Sequence, residues 1–202
     1  DVLTAHQRII FNGNNYSEEW VAEAEKRGLL NLKSLPEALA QFMDEKNVSL
    51  FVRHKICTEQ ELRARYEIDL ETYCKQLNIE ALTMVDMANK DITPAVTAYV
   101  HELTEAALAK KALSDTIPVR VELDLINSLA EKQEQFVALT AELEEELAAA
   151  SAVEDSLEKA SAFRNRVFAK MEALRGVADS MEAQTSADYW PYPSYTELLF
   201  GV

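Results

Sequence analysis

The chain has 202 residues and a mass of 22.7 kDa, and 48% of its residues are hydrophobic, so it is long enough and apolar enough to bury a core. It carries 20 Lys and Arg against 35 Asp and Glu, a formal net charge of −15, which disfavours binding to nucleic acid or to an anionic membrane surface. Four Gly and five Pro are too few for the turns of a many-stranded fold. The composition therefore predicts an all-α protein.

Residues 1–57 are predicted to form a linker with short elements. Residues 9–11, with the sequence Ile-Ile-Phe, are the one candidate for a β-strand. Residues 12–15 hold three Asn and one Gly, and these residue types tolerate the positive φ angles that end regular structure. We therefore expect a loop at 12–15.

Two short helices are predicted within this first part. Ser17 can be the N-cap of a helix whose first turn holds two Glu residues near the positive end of the helix dipole. Gly28 is placed to end that helix, because glycine adopts the left-handed conformation found just past many helices. Ser34 and Glu37 have the spacing of a capping box with a Pro inside the first turn, which predicts the start of a second helix.

A long kinked helix is predicted next. Thr58 and Glu61 form another capping box, and no Gly or Pro follows until Pro94, so one helix can run for about thirty residues. Pro94 lacks an amide hydrogen and clashes with the carbonyl four residues back, so it either kinks this helix or begins the next one. We predict a kink, with the helix resuming through Lys110.

Beyond residue 117 the apolar pattern approaches the heptad repeat that is typical of bundle or coiled-coil helices. The predicted core positions are first Ile126, Leu129, Gln133, Phe136, Thr140, Leu143 and Leu147, and then Val153, Leu157, Ala160, Arg164, Val167, Met171, Leu174, Ala178 and Met181. Periodicity alone permits a single rod, but Ser151 and Glu154 have the spacing of a capping box. We therefore predict an antiparallel helical hairpin that turns near 148–155.

The predicted hairpin is strongly acidic. Residues 131–158 carry nine acidic residues and one basic residue, which is more than half of the excess negative charge of the chain. Such a run is typical of a solvated outer face, and a docking surface for a basic partner is the alternative.

The tail at 187–202 forms a third part after the predicted bundle at 58–186. Five aromatic side chains and two prolines that favour extended backbone lie within residues 189–200. Large rigid aromatic residues concentrate at interfaces, so the tail either folds back over its own bundle or docks onto another domain or subunit. The interface candidates are Trp190, Tyr192, Tyr195 and Phe200.

Residues suited to catalysis or metal binding are scarce. Di-metal helical bundles use Glu-x-x-His pairs, and none of the three His residues has a Glu three positions before it. Cys57 and Cys74 provide neither a disulfide framework nor a four-ligand zinc site. Cys57 lies near His54 in sequence, but no oxyanion-hole motif accompanies the pair. We predict no catalytic, cofactor-binding or metal-binding residue in this chain.

The location of the protein is inferred from the segments that it lacks. A helix that spans a bilayer needs about 20 apolar residues, and no run without a charged residue or His is longer than nine residues, the length of residues 9–17. The start of the chain has neither an initiator Met nor the pattern of a signal peptide. We therefore expect a cytoplasmic protein and a chain that is a piece of a longer one.

Several segments, in order along the whole chain, closely resemble the C-terminal region of type III glutamine synthetases. The first is the run Arg-Ile-Ile-Phe-Asn-Gly-Asn-Asn-Tyr-Ser-Glu-Glu-Trp at 8–20, followed by Glu-Ala-Glu-Lys-Arg-Gly-Leu at 23–29. Later pieces are Arg-Tyr-Glu at 65–67, Asn-Ile-Glu-Ala-Leu-Thr-Met at 78–84, and the Trp-Pro-Tyr-Pro-Ser-Tyr ending at 190–195 with Leu-Leu-Phe at 198–200. Their combination is what makes the resemblance specific.

The resemblance implies a large oligomeric, double-ring bacterial ligase of nitrogen metabolism, which makes glutamine from glutamate and ammonia with ATP and Mg²⁺ or Mn²⁺. It also implies that the residues for that chemistry lie on a catalytic barrel that precedes this segment. The partners of the segment would then be its own catalytic domain and the other subunits of a homo-oligomer. Residues 12–16 could reach the active site of the parent enzyme.

Two other functions are kept as alternatives. A free-standing helical adaptor could bind a protein partner through its acidic hairpin or its aromatic tail. A carboxylate-bound metal protein is the third and weakest hypothesis, because the Glu-x-x-His pairs of such bundles are missing.

Overall fold

A computed structural model describes residues 1–7 and 10–201, and within these residues every regular element is helical. The prediction of an all-α fold is thereby confirmed. The chain divides into two compact units, Asp1–Leu62 and Arg63–Val202. The α-helices are α1 (Val2–Ala5), α2 (Glu18–Lys26), α3 (Leu35–Phe42), α4 (Glu45–Arg53), α5 (Glu59–Met87), α6 (Thr93–Leu113), α7 (Arg120–Ser151), α8 (Ser156–Ala162), α9 (Phe168–Glu182) and α10 (Tyr195–Phe200).

The predicted strand at residues 9–11 is wrong for residues 10 and 11, which the structure describes. Ile9 lies outside the described residues, and Ile10 and Phe11 belong to no strand. The ring of Phe11 instead stacks on Trp20 of α2, with 4.5 Å between the ring centroids. An apolar side chain here serves local packing onto a helix, because residues 1–7 and 10–201 contain no strand that could pair with it.

Helix α2 begins and ends where the sequence predicts. The Ser17 hydroxyl accepts a hydrogen bond from the amide of Trp20. At the other end Gly28 has φ of 74°, and the amide of Leu29 donates to the carbonyl of Ala24 at 2.9 Å. This is the Schellman arrangement, in which a left-handed residue lets the chain cap the last carbonyls of the helix.

Helices α3 and α4 form a short pair in the first unit. The predicted capping box of α3 is confirmed, since the Ser34 amide donates to the Glu37 carboxylate at 3.1 Å. The sequence pattern did not indicate α4, which is capped by Asp44, ends at Arg53 and is followed by Lys55 with φ of 54°. Lys55 occupies the position just past the helix where glycine is usual, so the sequence lacks the glycine that would have indicated the end of α4.

The long helix predicted from residue 58 is present. The Glu61 amide donates to the Thr58 hydroxyl at 3.2 Å, and the Thr58 amide donates to the Glu61 carboxylate at 2.8 Å, so the capping box is confirmed. From Glu59 the backbone stays helical as far as Leu113, three residues beyond the predicted Lys110.

A π-helical turn carries this helix past Pro94. Residues Ala88–Ile92 are π-helical, and the amide of Thr93 donates to the carbonyl of Ala88, five residues back. Proline cannot donate to the carbonyl four residues back and collides with it, so the wider turn just before Pro94 makes room for the ring. The helix resumes beyond Pro94 as predicted, whereas the kink itself stays a prediction.

The second unit is a three-helix bundle, in which the long helix, α7 and the α8–α9 segment pack side by side. Helix α7 runs antiparallel to α6, because Gln133 donates to the Thr97 hydroxyl at 2.7 Å while Glu122 pairs with Lys110 farther along. It also runs antiparallel to α9, because the residue numbers of the contacting pairs rise along α7 while they fall along α9. Those pairs are Ser128 with Gln184, Lys132 with Ser180, Glu142 with Lys170 and Glu146 with Arg166.

The core of this bundle follows the predicted heptad positions. Ten of the sixteen predicted core residues are buried, namely Leu129, Phe136, Thr140, Leu143, Leu147, Ala160, Val167, Met171, Leu174 and Met181. A second π-helical turn at Phe163–Val167 adds Phe163 to the buried set. The Thr140 hydroxyl, which is buried, donates to the Phe136 carbonyl at 2.8 Å and so is satisfied within its own helix.

The turn of the hairpin differs from the prediction in its capping residue. Ser151 does not cap α8 but is the last residue of α7. Asp155 is the cap, and its carboxylate accepts a hydrogen bond from the amide of Glu158 at 2.9 Å. The run of three Ala before Ser151 favours continued helix, and the buried Ala150 anchors that last turn against the bundle. The predicted box at Ser151 and Glu154 is therefore wrong.

Asp155→Ala should lower the free energy of unfolding by about 1 kcal/mol, because it leaves an orphan amide in the first turn of α8. Denaturant unfolding followed by circular dichroism measures the change. Glu154→Ala is the matched control, since the exposed Glu154 side chain caps no helix, and a larger loss for Glu154→Ala would contradict the assignment.

Candidate functional site: the aromatic tail and the groove beside it

The first half of the C-terminal tail packs on the second unit. The Tyr189 ring lies 5.4 Å from the Tyr99 ring of α6, measured between centroids. The Tyr192 hydroxyl donates to the Asp91 carboxylate at 2.8 Å, on the π-helical turn. Trp190 and Tyr192 are both half-buried. Of the two arrangements left open by the sequence, folding back over the bundle therefore describes this half of the tail.

The second half of the tail is helix α10, which the sequence reading did not predict. Ser194 and Glu197 form a capping box, in which the Ser194 amide donates to the Glu197 carboxylate at 2.7 Å. That hydrogen bond holds the pKa of Glu197 below its usual value. The Ser-x-x-Glu spacing at Ser194 and Glu197 is visible in the sequence and was sufficient to predict this helix.

Helix α10 presents apolar side chains to solvent. Leu198, Leu199 and Phe200 are 67%, 73% and 75% exposed. Of the four interface candidates, Phe200 is therefore accessible, whereas Trp190 and Tyr192 contact their own unit. Tyr195 begins α10, but its side chain lies outside the described part of the structure.

A groove of about 450 Å³ lies where the tail meets the bundle. Its apolar surface comes from the long helix, α7, α9 and the tail: Met84, Met87, Ile92, Phe136, Leu174 and Trp190. Phe136 and Leu174 are fully buried and form its floor. The rings of Trp190 and Tyr192 stand at 75° to each other with 6.4 Å between their centroids, so they form an aromatic corner at one side.

Charged residues of α9 also line this groove. Arg175 pairs loosely with Asp179 at 3.6 Å. Glu182 also lines the groove, and its exposed carboxylate has no ion-pair partner within 4.0 Å among the described residues. The lining thus has one more negative charge than positive.

The surroundings of Tyr192, including its hydrogen bond to Asp91, raise the pKa of its hydroxyl. Burial, the hydrogen bond to Asp91 and the negative charges of Asp91 and Asp86 together raise the pKa of Tyr192 from its ordinary value of 10.0 to about 12. The folded state therefore favours the protonated tyrosine. The resulting stabilisation is fully present below pH 10 and is lost as the pH rises through about 12.

We expect this shift to be visible in an alkaline titration. The difference in tyrosinate absorbance between the native chain and Tyr192→Phe should have its midpoint near pH 12. Asp91→Asn removes the charge but keeps an acceptor at the same place, so it should lower that midpoint towards the ordinary tyrosine value. A difference titration centred at the ordinary value in the native chain would contradict the hydrogen bond.

A second cavity of about 470 Å³ lies between α5 and the start of α8. Its polar lining is largely self-paired, because the Ser156 hydroxyl donates to Glu67 at 2.7 Å and Lys75 pairs with Glu71. Cys74 is buried in its wall, and burial raises the pKa of the thiol. A thiol with a raised pKa is a poor nucleophile, so this cysteine is a packing residue.

The remaining candidates from the sequence lie in the first unit. Cys57 is half-buried and His54 is exposed at the end of α4. Within residues 1–7 and 10–201, no group of three or more His, Cys, Asp or Glu residues is placed to hold a metal ion. In the same residues, no helix combines the length and the apolar character needed to cross a bilayer.

A cluster of contacts around Arg27 lies beside the loop at 12–16. Arg27 donates to the Ile10 carbonyl at 2.9 Å and to Glu23 at 2.6 Å, and its guanidinium lies within 6.0 Å of the Phe11 and Trp20 ring centroids. The hydrogen bond from Arg27 keeps the pKa of Glu23 below its usual value. Tyr16 is 98% exposed at the end of this loop.

Comparison with known proteins identifies the class to which this helical chain belongs. The family model "Glutamine synthetase C-terminal domain" matches residues 1–111. The chain therefore belongs to the glutamine synthetase C-terminal domain family, as the resemblance in its sequence predicted.

Individual relatives agree with this assignment. The chain is 40% identical over 202 residues to a glutamine synthetase of Butyrivibrio fibrisolvens, an alignment that covers 100% of this chain and 29% of that protein. A glutamine synthetase of Bacteroides fragilis (strain YCH46) is 31% identical over 98% of this chain and 28% of its own length. A type-3 glutamine synthetase of Dictyostelium discoideum is 32% identical over an alignment that covers 99% of this chain and 28% of that protein. The chain thus spans less than a third of the length of these relatives.

Proposed function

We propose that this chain is the C-terminal helical region of a type III glutamine synthetase. The parent enzyme joins ammonia to glutamate at the expense of ATP, with Mg²⁺ or Mn²⁺, in the cytoplasm. The observation that carries the proposal is the alignment of 98–100% of this chain with glutamine synthetases that are more than three times as long, one of them named type-3.

Within that enzyme we assign the chain to packing and subunit contacts. The catalytic chemistry belongs to a domain that precedes it, and that domain binds the nucleotide and the metal ions. The accessible side chains of α10 support a contact role, because three neighbouring apolar residues exposed to water are characteristic of interaction surfaces. The exposed Tyr16 at the end of an ordered loop is a second contact candidate, towards the catalytic domain.

A glutamine-forming assay tests this division of labour. The full-length protein should form glutamine from glutamate, ammonia, ATP and Mg²⁺, and omission of ammonia is the control. The 202-residue chain alone should form none at equal molar concentration. Turnover by the chain alone would overturn the division of labour, and a full-length protein without activity would overturn the assignment to the enzyme.

The alternative of an acidic adaptor is weakened by the pairing within the hairpin. Glu142 and Glu146 are engaged by Lys170 and Arg166 of the facing helix, and Asp155 caps α8. These contacts use part of the charge that a basic partner would need. We therefore treat the acidic hairpin as a solvated face whose pairs fix the register of α7 against α9.

A further inference from the structure

We propose that the groove between the tail and the bundle binds a small organic cation with an apolar body, such as an arylalkylammonium ion. The proposal concerns a site of this chain alone and does not depend on the ligase activity of the parent. It is based on three features of the groove, namely its size, its charge and its aromatic corner.

The size and lining suit a small ligand. A volume of about 450 Å³ falls in the range of about 300–1,000 Å³ that is typical of small-molecule pockets. The floor is rigid because Phe136 and Leu174 are buried in the bundle core. Met84 and Met87 form part of the wall, and their flexible thioethers adapt to an apolar body.

The charges favour a cation over a neutral molecule or an anion. Glu182 lines the groove together with the partly neutralised pair of Arg175 and Asp179. Behind Tyr192 lie Asp91, which accepts the tyrosine hydroxyl, and Asp86, which is paired with Lys90. Negative charge therefore exceeds positive charge at the rim and behind the aromatic wall, and the chain as a whole carries −15.

The aromatic corner provides a surface for the cation itself. Trp190 and Tyr192 are close to perpendicular, so they form two adjacent walls of an incomplete aromatic cage. The face of an aromatic ring, most of all that of Trp, attracts an ammonium group. In the proposed complex the ammonium group lies at this corner, and the apolar body lies against the half-buried Met84 and Met87.

Titration calorimetry with matched probes tests the proposal on the full chain. The probes are 4-phenylbutylammonium, the neutral 4-phenylbutanol and the anionic 4-phenylbutyrate, which share one apolar body. The ammonium ion should bind about tenfold more tightly than the alcohol, and the carboxylate more weakly than both. Equal binding of the three probes, or no saturable heat from the ammonium ion, would overturn the proposal.

Variants locate the binding. Glu182→Gln should weaken ammonium binding about threefold or more and leave the alcohol unchanged, because it removes charge but little volume. Glu172→Gln, at an exposed position of the same helix outside the groove, is the matched control and should change neither. Trp190→Leu should weaken ammonium binding several-fold, and Trp190→Phe should restore part of it, with melting curves to verify that both are folded. Ammonium binding that is unchanged in Glu182→Gln and in Trp190→Leu would place the ion elsewhere and refute the site.

Discussion

Phe136→Ala is expected to lower the free energy of unfolding of the second unit by about 4 kcal/mol. Phe136 is 1% exposed and lies in the middle of α7, facing the core. Truncation removes the apolar contacts of the ring and leaves a cavity that the surrounding helices fill only in part. The same ring forms the floor of the groove beside the tail, so the variant should also loosen the packing of Trp190.

Denaturant unfolding with a two-state fit measures this effect, and tryptophan fluorescence follows the tail. Val137→Ala is the matched control, because Val137 is the next residue of the same helix and is 49% exposed. Its cost should be about 0.5 kcal/mol, the size of an ordinary surface substitution. Similar losses for the two variants would mean that α7 does not face the core as described.

The double variant Leu199→Ser and Phe200→Ser is expected to weaken the assembly of the full-length protein by about three orders of magnitude. Each side chain is about three-quarters exposed in the chain alone. Burying it in an interface would contribute about 2 kcal/mol, so that the two together contribute about 4 kcal/mol. The unfolding of the chain itself should change little, because these residues add almost nothing to its own core.

Analytical ultracentrifugation over a concentration series measures the assembly, and glutamine formation is followed in the same samples. Thr196→Ala is the matched control, since Thr196 is an exposed residue of the same short helix. Unchanged assembly and activity in the double variant would show that α10 is not an interface. Loss of folding in the isolated chain would instead show that α10 stabilises its own unit.

Local signals in the sequence predicted three helix starts and one helix end. Ser17, Ser34 and Thr58 cap the helices that they were predicted to cap, and Gly28 ends α2. These interactions involve residues three to five positions apart, so their geometry is set by the backbone of a single turn. The same kind of reasoning failed at the hairpin, where Ser151 and Asp155 both have the spacing of an N-cap followed by Glu. Helix α7 continues through Ser151 because Ala150 is buried against the bundle, so Asp155 is the cap of α8.

Among the described residues, helices α1, α4 and α10 were not predicted, and the last two were missed for different reasons. Helix α4 ends at Arg53 and is followed by Lys55 in a left-handed conformation, and a lysine does not indicate that a helix stops there. Helix α10 has a clear capping box at Ser194 and Glu197, but the neighbouring prolines favoured an extended tail. The first case could not be predicted from residue types, whereas the second could have been.

Apolar spacing and capping residues act over one or two turns, so they suffice to predict the fold class, the long helix and the heptad seam of this glutamine synthetase C-terminal domain. The division of the tail into a packed half and an exposed half depends instead on contacts between distant segments. The contact between Tyr192 and Asp91 joins residues 101 positions apart, and the groove takes its walls from four separate segments. Such a site depends on how the helices pack together, and no local pattern of residues encodes that packing.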